Sequence, residues 1–223
     1  MNKLFAALTL TTAFLSAAES DAPARLQAAT EVLKEVMGIP DKSIPQELLN
    51  KAQCIVIVPG LKKGAFIVGA KYGKGFVSCR SKGGTGWSAP GSMRIEGGSF
   101  GFQAGGSEID VIMLVMNERG MNRLLTSKFT LGGDASVAAG PVGRSTQAET
   151  DAMMTAEILT WSRARGLFAG VSLSGATLRE DSDWNNDLYG RKITNREIIT
   201  STIAPPASAQ ALLAELNRYS SRK

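Results

Sequence analysis

The chain has 223 residues, 25 of them Lys or Arg against 20 Asp or Glu, with two cysteines and no histidine. The missing imidazole excludes Ser–His–Asp and Cys–His triads, histidine proton shuttles and His-based zinc centres, and two cysteines cannot complete a four-cysteine zinc or iron–sulfur site. With 43% hydrophobic and 20% charged residues the composition is that of a folded protein, and the length suits one domain with a real core.

In chain order, residues 1–18 read as a secretory signal peptide: Lys3, an apolar run over 4–15, then the small residues Ser16, Ala17 and Ala18. The run is too short to span a bilayer as a permanent helix. The alternative, an amphipathic first helix of the mature fold, must contend with the absence of any charge between Lys3 and Glu19. The expected product is a single domain over 19–223, periplasmic or secreted after cleavage near Ala18. Export leaves two readings open for Cys54 and Cys79: a disulfide, or two buried free thiols.

Leu26, Ala29, Thr30, Leu33, Val36 and Met37 recur at helical spacing, and Gly38 with Pro40 ends that helix. Pro45 opens a second helix ahead of Leu48, Leu49 and Ala52. Short strands are expected at 55–58, 65–70 and 75–80, separated by Pro59-Gly60 and by Tyr72-Gly73-Lys74, and further strands at 99–104 and 109–116. A short helix at 118–125 precedes strand-like segments at 136–139, 153–161 and 167–173; the middle one also suits a helix. Pro205-Pro206 opens a last helix with Leu212, Leu213, Leu216 and Tyr219 in its stripe. The expected fold is α+β, a mostly antiparallel curved sheet with helices at the N- and C-terminal ends.

Charge is unevenly spread. From 51 to 95 there is no acidic residue, while Lys51, Lys62, Lys63, Lys71, Lys74, Arg80, Lys82 and Arg94 are all cationic. Such a stretch attracts phosphate-bearing partners and anionic membrane surfaces, with Trp87 as a candidate aromatic anchor; a plain solvated face is the other reading. Other motifs fail. Val68 stands where a phosphate loop needs glycine, Ser78 where a dinucleotide fingerprint needs its third, and Asn186 and Lys192 break the calcium-loop spacing of Asp181, Asp183, Asn185 and Asp187, leaving an acidic turn. Glu108 and Asp110 share one strand face as a candidate carboxylate pair, without a cleft to place them across. No cofactor, metal or nucleic acid is expected.

Several segments are familiar in their order. They run from Ile44-Pro45 and Leu48-Leu49 through Ala52-Gln53-Cys54-Ile55-Val56-Ile57-Val58-Pro59 to Gly64-Ala65-Phe66-Ile67-Val68-Gly69 and Tyr72-Gly73-Lys74-Gly75. Gly86-Trp87-Ser88-Ala89-Pro90, Gly97-Gly98-Ser99-Phe100-Gly101-Phe102-Gln103, Ala139-Gly140-Pro141-Val142-Gly143-Arg144, Gly166-Leu167-Phe168-Ala169-Gly170-Val171-Ser172-Leu173 and Tyr189-Gly190 follow. Together they resemble the SYLF lipid-binding domain over roughly residues 26–216. The resemblance implies non-enzymatic binding of membrane lipids, with phosphoinositides preferred in eukaryotic members, which use an amphipathic N-terminal helix behind basic residues. The helix at 23–37 fits, but Glu19 and Asp21 stand in place of the basic lead-in. An exported chain would meet neither phosphoinositide nor actin, so the expected partner is an anionic phospholipid or membrane surface. Lys62, Lys63, Lys71, Lys74, Arg80, Lys82 and Trp87 are the candidate contacts. The alternative is an envelope protein module binding an acidic partner. The first helix either inserts into lipid or packs on the sheet.

Overall fold

The computed structural model describes residues 21–39, 43–65, 68–81, 83, 85–100, 105–142, 155–164, 167–171 and 173–220. The leader expected at 1–18, Lys82 and Arg144 lie outside them.

Where the sequence suggests three short strands, the chain forms two long ones, β1 (Cys54–Ala65) and β2 (Val68–Cys79). They pair antiparallel, and β3 (Gly91–Phe100) and β4 (Gly105–Val115) flank them. The expected turns are absent for steric reasons. Pro59-Gly60 is a bulge inside β1, where the register with both neighbours slips. Gly60 has φ 59° there, and a Cβ would lie 2.5 Å from Glu108 Oε1. Gly75 sits mid-strand because a Cβ would come within 2.0 Å of the Ile57 carbonyl oxygen. Here the glycines mark close backbone approach, not turns.

After the short helix α3 (Glu118–Leu124) come β5 (Lys128–Thr130), β6 (Val137–Ala139), β7 (Ile158–Ala164), β8 (Leu167–Gly170) and β9 (Thr177–Glu180). The sheet order among the described residues is β5-β9-β3-β2-β1-β4-β7-β6, with β8 also on β7. Of these strand pairs only β6–β7 is parallel. Of the ambiguous segment 153–161, residues 158–161 belong to strand β7, while 153–154 lie outside the described residues. The two outer strands, β5 and β6, are sequence neighbours linked by a Leu131–Ala135 bridge, so the sheet curls until its edges approach.

Strand alternation then defines two cores. Val56, Val58, Leu61, Val77, Met93, Ile95, Val111 and Leu178 fill the inside of the curl. Ile55, Ile57, Phe76, Ile112, Leu114 and Trp161 point outward, under helix α1 (Ala22–Met37) and the C-terminal helix α6 (Gln210–Ser220). The remaining α-helices among the described residues are α2 (Gln46–Lys51), α4 (Ser182–Tyr189) and α5 (Asn195–Thr200).

Helix α1 packs on the sheet. Leu26, Leu33 and Val36 are wholly buried. Its polar residues tie it down as well: Arg25 donates to the Pro59 carbonyl at 3.0 Å, and Glu35 pairs with Arg163 of β7. The helix ends at Gly38, whose N–H reaches the Lys34 carbonyl.

Cys54 and Cys79 face each other across β1 and β2 and are joined in a disulfide, settling the choice left open by sequence. The bond closes a loop of 25 residues. Replacing both cysteines with alanine should lower unfolding free energy by about 3 kcal/mol. Urea titration of the variant, beside wild type with and without reductant, measures this; an unchanged midpoint would show the bond contributes nothing.

Candidate binding surface at the lysine end of the sheet

Register divides the candidate residues among three places. Lys63 lies directly opposite Lys71, and Lys62 opposite Tyr72 on β2 and Glu108 on β4. Two positions on from Leu61 along the inner face, Lys63 points with Lys71 to the inside of the curl near the end where β1 and β2 meet their shared hairpin. Lys62 and Tyr72 point to the outer face at the same end. The cations expected at turns are therefore mid-strand, on two faces of one sheet end. Lys62, Lys63 and Lys71 make no ion pair among the described residues.

Lys74 lies deeper on the outer face and is taken. Its ammonium is 2.8 Å from Asp181 Oδ2, and it sits 4.3 Å from the centre of the Trp184 ring. Asp181 is buried and caps α4, accepting from the Trp184 N–H. The acidic turn expected at 181–187 is thus a helix. Its Asn185 is buried, accepts from Ser92 N–H at 2.8 Å and donates to Asn195 at 2.8 Å. Among the described residues no group of His, Cys, Asp or Glu could hold a metal.

Arg80 and Trp87 lie at the opposite, disulfide-bearing end, and both are buried. The Arg80 guanidinium donates to the carbonyls of Ala52 at 3.2 Å and Leu49 at 2.9 Å, and to the carbonyl and hydroxyl of Ser220. It stacks 4.0 Å from the centre of the Trp87 ring, whose Nε1 donates to the Ser220 carbonyl at 3.1 Å. The positive charge thus meets the C-terminal carbonyls of α2 and α6, where helix dipoles favour a cation. Neither residue belongs to an exposed basic surface: packing against two helix ends has taken both. The surface aromatic is Tyr72, 48% exposed, and Leu167 is 75% exposed at the same end of the sheet, on β8. Sequence reasoning missed Tyr72 because it placed 72–74 in a turn; read as a strand, the alternation of Tyr72 with Lys71 would have exposed it.

Of the candidate carboxylate pair Glu108 and Asp110, Asp110 serves the fold. Asp110 accepts from the Gly60 N–H at 3.0 Å and from Arg163 at 2.9 and 2.7 Å. Burial pushes its carboxyl above the ordinary range, while the Gly60 N–H pulls it down.

Lys63 is held below the ordinary lysine value of 10.5, chiefly by burial and also by the neighbouring Lys71 charge. Between that lowered value and 10.5 the native state releases this proton before the unfolded chain does, so Lys63 should make stability rise with pH in that window. Tyr189, raised by burial, pulls the other way at alkaline pH. The difference between wild type and Lys63→Gln in alkaline denaturation isolates the lysine; identical curves would remove the effect.

The described residues thus form an α+β architecture, a curled sheet backed by N- and C-terminal helices, with Lys62, Lys63 and Lys71 grouped at one end of the sheet. Residues 96–219, more than half of the chain, match the family described as "Ysc84: Las17-binding protein actin regulator", and the chain belongs to this Ysc84 (SYLF) family. Among its relatives, the SH3 domain-containing YSC84-like protein 1 of Xenopus laevis is 35% identical over 87% of this chain and 59% of its own length. The human protein of that name is 33% identical over 87% of this chain and 58% of its own length. Protein YSC84 of Saccharomyces cerevisiae is 34% identical over 78% of this chain and 37% of its own length. The chain therefore spans under two thirds of these relatives.

Proposed function

We propose that this chain is an exported, non-enzymatic binding domain, periplasmic or secreted after loss of residues 1–18. It meets anionic phospholipid surfaces with the end of the sheet that carries Lys62, Lys63 and Lys71. The observation that supports this reading most is the grouping of three lysines, unpaired among the described residues, with exposed Tyr72 and Leu167 at one sheet end. Cations beside an exposed aromatic and an aliphatic side chain suit the headgroup region, where each lysine contributes about 1 kcal/mol at an anionic surface. Helix α1 stays on the sheet, since insertion would strip Leu26, Leu33 and Val36 out of the core.

Vesicle flotation across a salt series tests this. Anionic vesicles should recover the protein, neutral ones should not, and salt should weaken recovery. Reversing Lys62 and Lys63 to Glu should reduce recovery without unfolding. Equal recovery on neutral and anionic vesicles would end the electrostatic reading. The family's description as Las17-binding favours one second reading, in which the same lysine end docks an acidic protein segment. Crosslinking in the envelope, with Lys62→Glu as control, separates the two.

A further inference from the structure

Lys63 and Lys71 form a like-charged pair placed directly opposite on adjacent strands, an arrangement that costs stability unless an anion offsets it. The same inner-face row continues with Ser107 of β4 beside Lys63 and Gly97 of β3 beside Lys71. Gly97 lies against Ala176, where a Cβ would come within 3.2 Å of the Ala176 Cα. One step deeper are Leu61, Ile95 and Ile109, all buried. The row's neighbouring carboxylates face the other way: Glu108 stands on the outer face, and Glu96 is held there by Arg94 at 2.8 Å and Arg179 at 3.4 Å. The two ammonium groups thus stand between an apolar floor and solvent, with an exposed hydroxyl alongside. Among the described residues, no acid faces them from the strands they pair with.

We propose that Lys63, Lys71 and Ser107 form a site for a phosphate monoester dianion on the inner face at the lysine end of the curled sheet. The charge count selects the ligand. Directly opposite residues have Cβ atoms about 5 Å apart, so both ammonium groups can reach one tetrahedral anion. A monoester carries about −1.5 to −2 near neutral pH and offsets both charges, whereas a diester carries one and leaves a cation uncompensated. The apolar floor strengthens the attraction by lowering the local dielectric. The lowered Lys63 proton affinity has the same origin, burial beside a second cation. The proposal deepens the surface reading above and rests on it only for the claim that the phosphate is carried by a lipid.

The test uses the full chain with its lysine side chains labelled with carbon-13, titrated with inorganic phosphate, glycerol phosphate and, as diester, dimethyl phosphate. Lys63 and Lys71 should shift together and saturably with the first two and not with dimethyl phosphate. Lys63→Gln should abolish the Lys71 response, and Lys62→Gln should leave it. Because Lys63→Gln relieves repulsion, its melting temperature should hold or rise, which separates lost binding from unfolding. Uniform, unsaturable shifts at every lysine, or equal responses to monoester and diester, would overturn the site.

A second arm compares vesicles carrying phosphatidic acid with vesicles carrying phosphatidylglycerol at matched surface charge. Preference for the monoester lipid, lost by about fivefold per lysine replaced, places the phosphate on a lipid. No preference, with the soluble response intact, makes a free phosphate compound the ligand and keeps the site. Equal vesicle binding without the soluble response ends the site and leaves the surface reading standing. The soluble response without any vesicle binding does the reverse.

Discussion

Arg80→Met should lower unfolding free energy by about 3–5 kcal/mol, a large share of a typical domain's stability. The buried guanidinium serves carbonyls from Leu49, Ala52 and Ser220 at once, so its loss removes the charged tie between the ends of α2 and α6, although the Ser220 carbonyl keeps the Trp87 donor and the Leu49 carbonyl the Ser220 hydroxyl. The retained apolar stem of methionine keeps some packing on Trp87 but supplies no donor. Arg80→Lys should recover only part of the loss, because one ammonium cannot replace a planar fork aimed at carbonyls of three residues on two helix ends. Thermal and urea unfolding measure the cost. Vesicle recovery per folded molecule should match wild type. The opposite pattern, unchanged stability with weaker vesicle binding, would restore Arg80 to the lipid-facing surface.

Leu33→Ala carries the second large effect, an expected loss of about 2–5 kcal/mol. Leu33 is fully buried between α1 and the sheet, so truncation leaves a cavity in the outer core. If α1 instead worked by leaving the sheet and inserting into lipid, the same truncation would mainly weaken vesicle binding. Stability and flotation, measured on the same preparations, distinguish these outcomes. A small stability change with a large loss of flotation would overturn the packed role of α1.

Much of the fold was legible because its signals are local. The stripe of Leu26, Leu33 and Val36 has helical period, and Leu212, Leu213 and Leu216 repeat it near the other end. The continuous apolar run of β4 marks a strand buried on both faces, and the structure covers it with both cores. The errors came from glycine and proline. In sequence, Pro59-Gly60 and Gly73 look like turn punctuation. In the fold they are a bulge and a close approach, because Gly60 takes a positive φ of 59° and Leu61 and Val58 crowd the place a Cβ would take at Gly73. Nothing local distinguishes a glycine needed for its φ from one needed for its size.

The site divides along the same line. Sequence alone determined that histidine chemistry is absent, that the family's segments occur in order, and that residues 51–95 carry eight cations and no acid. Those are properties of composition and order, and folding does not alter them. Only the tertiary structure decided which cations remain available. Lys74 is matched by Asp181 and Arg80 by the ends of two helices, all brought from distant parts of the chain. Lys62, Lys63 and Lys71 make no ion pair among the described residues, although Lys62 stands across from Glu108 on the outer face. For the inner pair, Lys63 and Lys71, the reason is that strand register sends the nearby carboxylates Glu96 and Glu108 to the outer face. A linear charge count cannot contain that result, since an ion pair depends on register and face, and both are fixed by which strands meet.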